Sequence, residues 1–283
     1  DDSSTIATAG WDNVVKLWQI QEPLVRTFYG HRATILSISY HPQNKYIATT
    51  SDDTTVKLWN LDGSILTDFE EHNAEVYEID FSPDGEIIAS TSLDRTVKLW
   101  NREGEVLAIL SGHTAPVNDV VFAPDGRTLV SGGFDKTIRF WELQKTNEKI
   151  QVREKMILNG HKASVNDIAI SQDGELIASV SHDRTIKLWR KNGNLIRSIV
   201  GDNTGLRTIS ISPNKEIIAS GGKDRDLKLW DIRGNYLRTF KGHQGAILDV
   251  EFSPDGKKLA SASADNTIKI WDLEGNLLTT LRG

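Results

Sequence analysis

The sequence predicts an all-β fold, a seven-bladed β-propeller of four-stranded antiparallel blades with the first blade lacking its innermost strand. Three observations carry this. Trp18, Trp59, Trp100, Trp141, Trp189, Trp230 and Trp271 recur every 41 residues, with a single interval of 48. Each closes a short alternating run: NVVKLW, TTVKLW, RTVKLW, KTIRFW, RTIKLW, RDLKLW and NTIKIW. No long segment has helical periodicity, and a period near 40 with four strand-like runs per unit is the pattern of propeller blades.

The last unit shows the four strands in order. AILDVEF, KKLASAS, NTIKIW and NLLTTL are short, β-branched and roughly alternating, as half-buried strands are. Between them lie SPDG at 253–256 and LEGN at 273–276, residues that tolerate tight-turn backbone angles. The repeat divides residues 1–283 into units 1–30, 31–71, 72–112, 113–160, 161–201, 202–242 and 243–283, read as one domain. The longer interval holds a seven-residue insertion in ELQKTNEKIQVREKMILNG, highly charged and expected as a solvated, extended hairpin before an outer strand.

Seven units of 41 plus seven residues make 294, and the chain has 283, a shortfall of 11. Aligning Thr8 with Ser90 places Asp2 on the Asp of the SPDG turn, and Gly283 falls on the glycine that precedes a histidine in other units. The shortfall is one innermost strand with its loop, so the first blade is expected to hold three strands. The chain opens on Asp1 and reads as part of something longer.

Bulk composition narrows the classes. Hydrophobic residues at 38% and charged residues at 25% are ordinary for a soluble globular protein. A net charge of -6 argues against a nucleic-acid partner, which leaves a basic footprint. Without cysteine there are no disulfides or thiolate metal sites, and a cytoplasmic setting is expected. No apolar run approaches the ~20 residues of a membrane helix. P-loop, dinucleotide and paired-histidine metal motifs are absent, so no cofactor and no metal is expected.

One constellation looks catalytic. Ser131 stands 18 residues after His113 and four before Asp135, and Trp141 follows six later. The same spacing recurs at His31, His72, His161 and His243, the last with Ser261, Asp265 and Trp271. A catalytic triad needs one nucleophile, one base and one oxyanion site. Five copies in step with the fold, with Thr49 replacing serine, read as scaffold. The unit of Asp224 keeps Ser220 and Trp230 but has Asp202 at the histidine position; the first unit keeps Thr8, Asp12 and Trp18.

These residues also carry a family resemblance. Gly30-His31, Gly112-His113, Gly160-His161, Gly242-His243, the SPDG-type turns and the recurring LW make the whole chain similar to WD40-repeat β-propellers, and to the multi-repeat arrays of bacteria. The resemblance implies that the four residues form a buried hydrogen-bonded tetrad in each blade. It also implies a partner on the top surface, near the central channel.

Three positions per unit point there: the residue before the tetrad Asp, and those three and five after the histidine. They give an apolar set of Trp11, Leu36, Tyr77, Leu93, Phe134 and Leu248, with Asp52, Asn118 and Asn166 among them. His182, Arg207 and Lys223 make a basic counterpart. Exposed aromatics beside polar groups suit a protein or peptide partner. The expectation is a non-catalytic interaction scaffold or sensor platform within a larger signalling protein, joined to other domains of its parent chain, with no nucleic acid and no membrane bound. The alternatives are a hydrolase centred on the channel, disfavoured because the candidates facing it carry no convergent carboxylates, and a structural spacer.

Overall fold

The computed structural model describes residues 5–19, 24–146 and 149–282. Asp2, Gly283 and the tip of the insertion lie outside them. The described residues form seven antiparallel sheets, one of three strands and six of four, the class of a seven-bladed β-propeller. Blade 1 holds Thr5–Ala9, Val14–Gln19 and Leu24–Tyr29 and, among the described residues, no fourth strand. Blade 3 shows the complete unit: Val76–Phe81, Ile88–Ser92, Thr96–Trp100 and Val106–Ser111, paired in that order from the inside out. No helix of the described residues is long and apolar enough to cross a membrane.

The chain divides into two compact units, Asp2–Leu158 with blades 1–4 and Asn159–Gly283 with blades 5–7. Inside each, one blade's face packs on the next. Ala48, Leu58 and Phe69 of blade 2 meet Ile79, Phe81 and Trp100 of blade 3 in one buried cluster. Ala178, Ile186 and Leu188 of blade 5 meet Ile209, Ile218 and Trp230 of blade 6 in the same way. Removing such apolar surface from water is the main force holding blades together.

The turns obey one rule. The residue after each tetrad Asp has positive φ, from 62° to 72°, although it is Asn13, Thr54, Arg95, Lys136, Arg184, Arg225 or Asn266. The backbone reverses in a three-residue loop whose last member is left-handed. Side chains there project outward and pay a strain that the surrounding bonds hold in place. The glycine before His31 has another reason: a Cβ on Gly30 would come 2.8 Å from the Trp59 ring.

The inserted hairpin extends the two outer strands of blade 4 to Ile138–Lys145 and Ile150–Leu158. Its base is less solvated than its charge suggests. Leu143 is buried, Ile150 and Val152 pack beside it, and its N–H donates to Arg127 O at 2.7 Å.

The innermost strands present carboxylates that the loop positions did not reveal. Six and eight residues after the histidine position stand Glu78, Asp80, Asp119, Asp167, Asp249 and Glu251. An innermost strand has a free edge, whose N–H groups need acceptors, and the preceding blade supplies them. Asp80 Oδ2 accepts Phe122 N–H and Asp167 Oδ2 accepts Ile209 N–H, each at 2.7 Å. Thr208 Oγ1 takes Val250 N–H at 3.1 Å in the same role.

Burial pushes the Asp80 carboxyl up to about 7, against the N–H groups of Phe122 and Phe81 that favour its charge. Folding therefore holds a proton on Asp80 between the ordinary 3.8 and about 7, and this group's contribution to stability falls as pH rises through that window. Asparagine keeps the acceptor for Phe122 and cannot ionise. Relative to the parent protein, Asp80→Asn should be more stable at pH 8 than at pH 4 by about 1–3 kcal/mol in denaturant titrations. An equal effect at both pH values would contradict this.

Candidate functional site

Five blades, the second to the fifth and the seventh, end in the same four-residue network. In blade 4, His113 Nδ1 lies 2.9 Å from Asp135 Oδ2, His113 Nε2 lies 2.8 Å from Ser131 Oγ, and Trp141 Nε1–H donates to Ser131 Oγ at 2.9 Å. Blades 2, 3, 5 and 7 repeat this with histidine–aspartate distances of 2.8–3.0 Å. Burial lowers the pKa of His72, His161 and His243, outweighing the aspartates beside them, so these rings are neutral at neutral pH. For Asp135 burial acts the other way, yet hydrogen bonds from His113 and Thr137 hold its carboxyl well below the usual range.

The connectivity is that of a hydrolase triad, Ser–His–Asp, and access decides what it does. Ser131 is fully buried, and a lone pair of its hydroxyl is taken by the indole. A nucleophile must reach a substrate carbonyl, and this one meets only the core. What the network does is tie the second strand, the third strand and the loop carrying the histidine. Thr114 N–H, on that loop, also donates to Asp135 at 3.0 Å.

Two blades depart from the pattern, and lysine responds. In blade 6 Asp202 turns into its own loop and accepts Thr204 N–H and Gly205 N–H at 2.9 and 2.7 Å. Asp224 pairs instead with Lys228, four residues on. In blade 1 Asp12 pairs with Lys16 at 2.5 Å. Where the imidazole is present, the equivalent Lys57, Lys98, Lys187 and Lys269 bond elsewhere in their sheets. Arg139 is bonded to Glu154 and also lies 3.8 Å from the tetrad Asp135.

The variable residues sit on this frame through two devices. Past the fourth residue after the histidine position, every complete blade has a register shift in its innermost strand, as between Val117 and Asp119. The extra residue is Leu36, Tyr77, Asn118, Asn166, Arg207 or Leu248, the set five after the histidine. A bulge leaves its residue outside the ladder and re-aims the side chain. The residue before the tetrad Asp is fixed by a backbone bond to the residue three after the histidine: Asp52 N–H to Thr34 O, Leu93 to Glu75, Phe134 to Pro116 and His182 to Ser164, at 2.8–3.1 Å.

In blades 2–4 these devices carry Phe134, 46% exposed, and Leu36 and Leu93 at 38% each, and the corresponding turn of blade 1 carries Trp11 at 67%. Asp52 is exposed; Tyr77 and Asn118 are half-buried. Burial first, then the carboxylates of Glu75 and Asp52, raise the Tyr77 pKa, so the apolar residues have an acidic rim. Blades 5–7 carry Asn166 and Leu248, half-buried, with His182, Arg207 and Lys223 exposed. No group of three or more histidine or acidic residues among the described residues is placed to hold a metal ion.

The WD40 family model, described as WD domain, G-beta repeat, matches residues 1–19, 22–60, 63–101, 104–142, 152–190, 193–231 and 234–272. Each match after the first starts at the outer strand of one blade and ends one residue past the tryptophan of the next, so the sequence repeat straddles two blades. The gap at 143–151 is the inserted hairpin. Among curated proteins, none matches the chain.

Removing the tetrad carboxylate leaves the His113 ring and Thr114 N–H without their acceptor. Asp135→Ala should cost about 1–3 kcal/mol, measured by denaturant unfolding. An unchanged stability would show that the network is dispensable.

Proposed function

The chain belongs to the WD40 family of G-beta repeats, and from that premise we propose that it is a non-catalytic platform that binds a protein or peptide partner through its loop-end residues. The family is commonly a protein-interaction scaffold, and residues 1–283 are read as a single domain of that kind. One observation carries the reading. Trp11 and Phe134 are large aromatics held outside the core on the turns before Asp12 and Asp135, and Leu36 and Leu93 are exposed at the corresponding loop ends of blades 2 and 3. Large apolar groups that burial in the chain does not explain are the usual anchors of a protein interface.

The frame supports recognition because the tetrads, turns and bulges are the same in blade after blade, while the residues they display differ. The partner expected by blades 1–4 offers an apolar side chain for Trp11 and Phe134 and a cation for the acidic rim at Asp52 and Glu75. Membership of a larger signalling chain and a cytoplasmic setting belong to this proposal as well.

The test is capture from lysate of the source cell, with the parent protein beside Trp11→Glu/Phe134→Glu, both checked for fold by circular dichroism. A protein retained by the parent form and lost by the variant is the expected result. Equal retention by both would return those aromatics to mere packing.

A further inference from the structure

Blades 5 and 6 carry a second arrangement, deepening the platform reading by specifying part of the partner's chemistry. His182 precedes the tetrad Asp of blade 5, Arg207 is the bulged residue of blade 6, and Lys223 precedes Asp224. They are neighbours. A Cβ on Gly205 would touch His182 Cδ2 at 3.2 Å, Gly205 O accepts Lys223 N–H at 3.4 Å, and Arg207 follows two residues later. His182 is close enough to both cations for Lys223 and Arg207 to lower its pKa, after burial.

The carboxylates near these groups are engaged elsewhere. Asp183 is bonded to His161, Asp202 to Thr204 and Gly205, and Asp224 to Lys228. Among the described residues, neither Arg207 nor Lys223 forms an ion pair. Two permanent cations and an imidazole thus meet with no anion between them.

A hydrogen-bond chain sets which proton the imidazole shows. Asn166 Nδ2–H donates to Leu206 O at 2.5 Å, so its Oδ1 is free to accept the Ser164 hydroxyl at 3.0 Å. With its proton so used, Ser164 Oγ accepts from His182 Nδ1–H, 2.9 Å away. Neutral His182 then carries its proton on Nδ1, and Nε2 is a bare acceptor. A carboxylate, ionised at neutral pH, has no proton for that nitrogen. A phosphoryl group ionises for the second time near pH 6, so at neutral pH a fraction still carries a proton that the nitrogen can share.

We propose that His182, Arg207 and Lys223 form a recognition site for a phosphoryl group, the two cations neutralising its charge and His182 Nε2 sharing its proton. Guanidinium and ammonium groups are both established phosphate binders.

The experiment follows the imidazole nitrogens of His182 by NMR during titration of the whole chain with inorganic phosphate at pH 7, ionic strength being fixed with chloride. A saturable movement of the Nε2 resonance from the unprotonated towards the protonated position is expected. Arg207→Gln/Lys223→Gln, substitutions of exposed residues, should weaken binding at least about tenfold. Sulfate, which has no proton to share at pH 7, should bind more weakly than phosphate there. A phosphoserine peptide binding more tightly than phosphate would assign the site to a protein-borne group, and equal binding to a free one. Shifts that are linear in concentration and the same with chloride would overturn the site. A partner lost by Trp11→Glu/Phe134→Glu beside no phosphate response would sink this inference and leave the platform; a phosphate response without that partner would do the reverse.

Discussion

A single buried hydroxyl in each blade sets the rest of the structure. Ser131 Oγ receives the indole N–H of Trp141 and meets the imidazole of His113, joining the second and third strands to the loop that enters the blade. A partly buried indole, imidazole and carboxylate each need partners, and here they supply one another. Interior apolar packing would hold blades together without specifying where the entering loop sits. The hydroxyl specifies it, and with it the direction of the bulge and of the turn before Asp135.

That constraint explains how one sequence unit can vary in display while keeping its geometry. Residues in the network answer to each other, so they recur. Residues on the bulge and before the aspartate lie outside that network, and they range from Trp11 and Phe134 to Asn166 and Lys223. Blade 6 shows how far the network itself can bend: without an imidazole, Asp224 takes Lys228, and Trp230 still donates to Ser220 at 2.9 Å.

Much of this was legible in the period. Tryptophan spacing set the number of blades, and the shortfall of residues predicted a first blade of three strands. The loop-end residues were found by position, though their cause was not: a bulge at Asn118 or Arg207 is a property of strand pairing and leaves no mark on residue type. The left-handed turn residues were hidden for a similar reason, since Arg95 and Lys136 have no preference for positive φ and are held there by tertiary bonds. Asp80 and Asp167 lie on the innermost strands, away from the loop-end positions that vary between units. The columns six and eight after the histidine contain them, and their role, completing the free edge of the next blade, needs both strands in view. The roles of Lys16 and Lys228 were equally invisible, since every blade has a cation there and residue type does not show which one hydrogen-bonds its aspartate.

The central claim is that the shared hydroxyl, clamped by both indole and imidazole, is what makes each loop end rigid. Exchange of the tryptophan indole N–H with deuterium, read by NMR one ring at a time, tests it most directly. Trp59, Trp100, Trp141, Trp189 and Trp271 should exchange slowest; Trp18 and Trp230, whose hydroxyls have no imidazole, should be faster; and exposed Trp11 fastest of all. If Trp230 proves as protected as Trp100, the imidazole adds nothing to the clamp, and rigidity at the loop ends must come from packing alone.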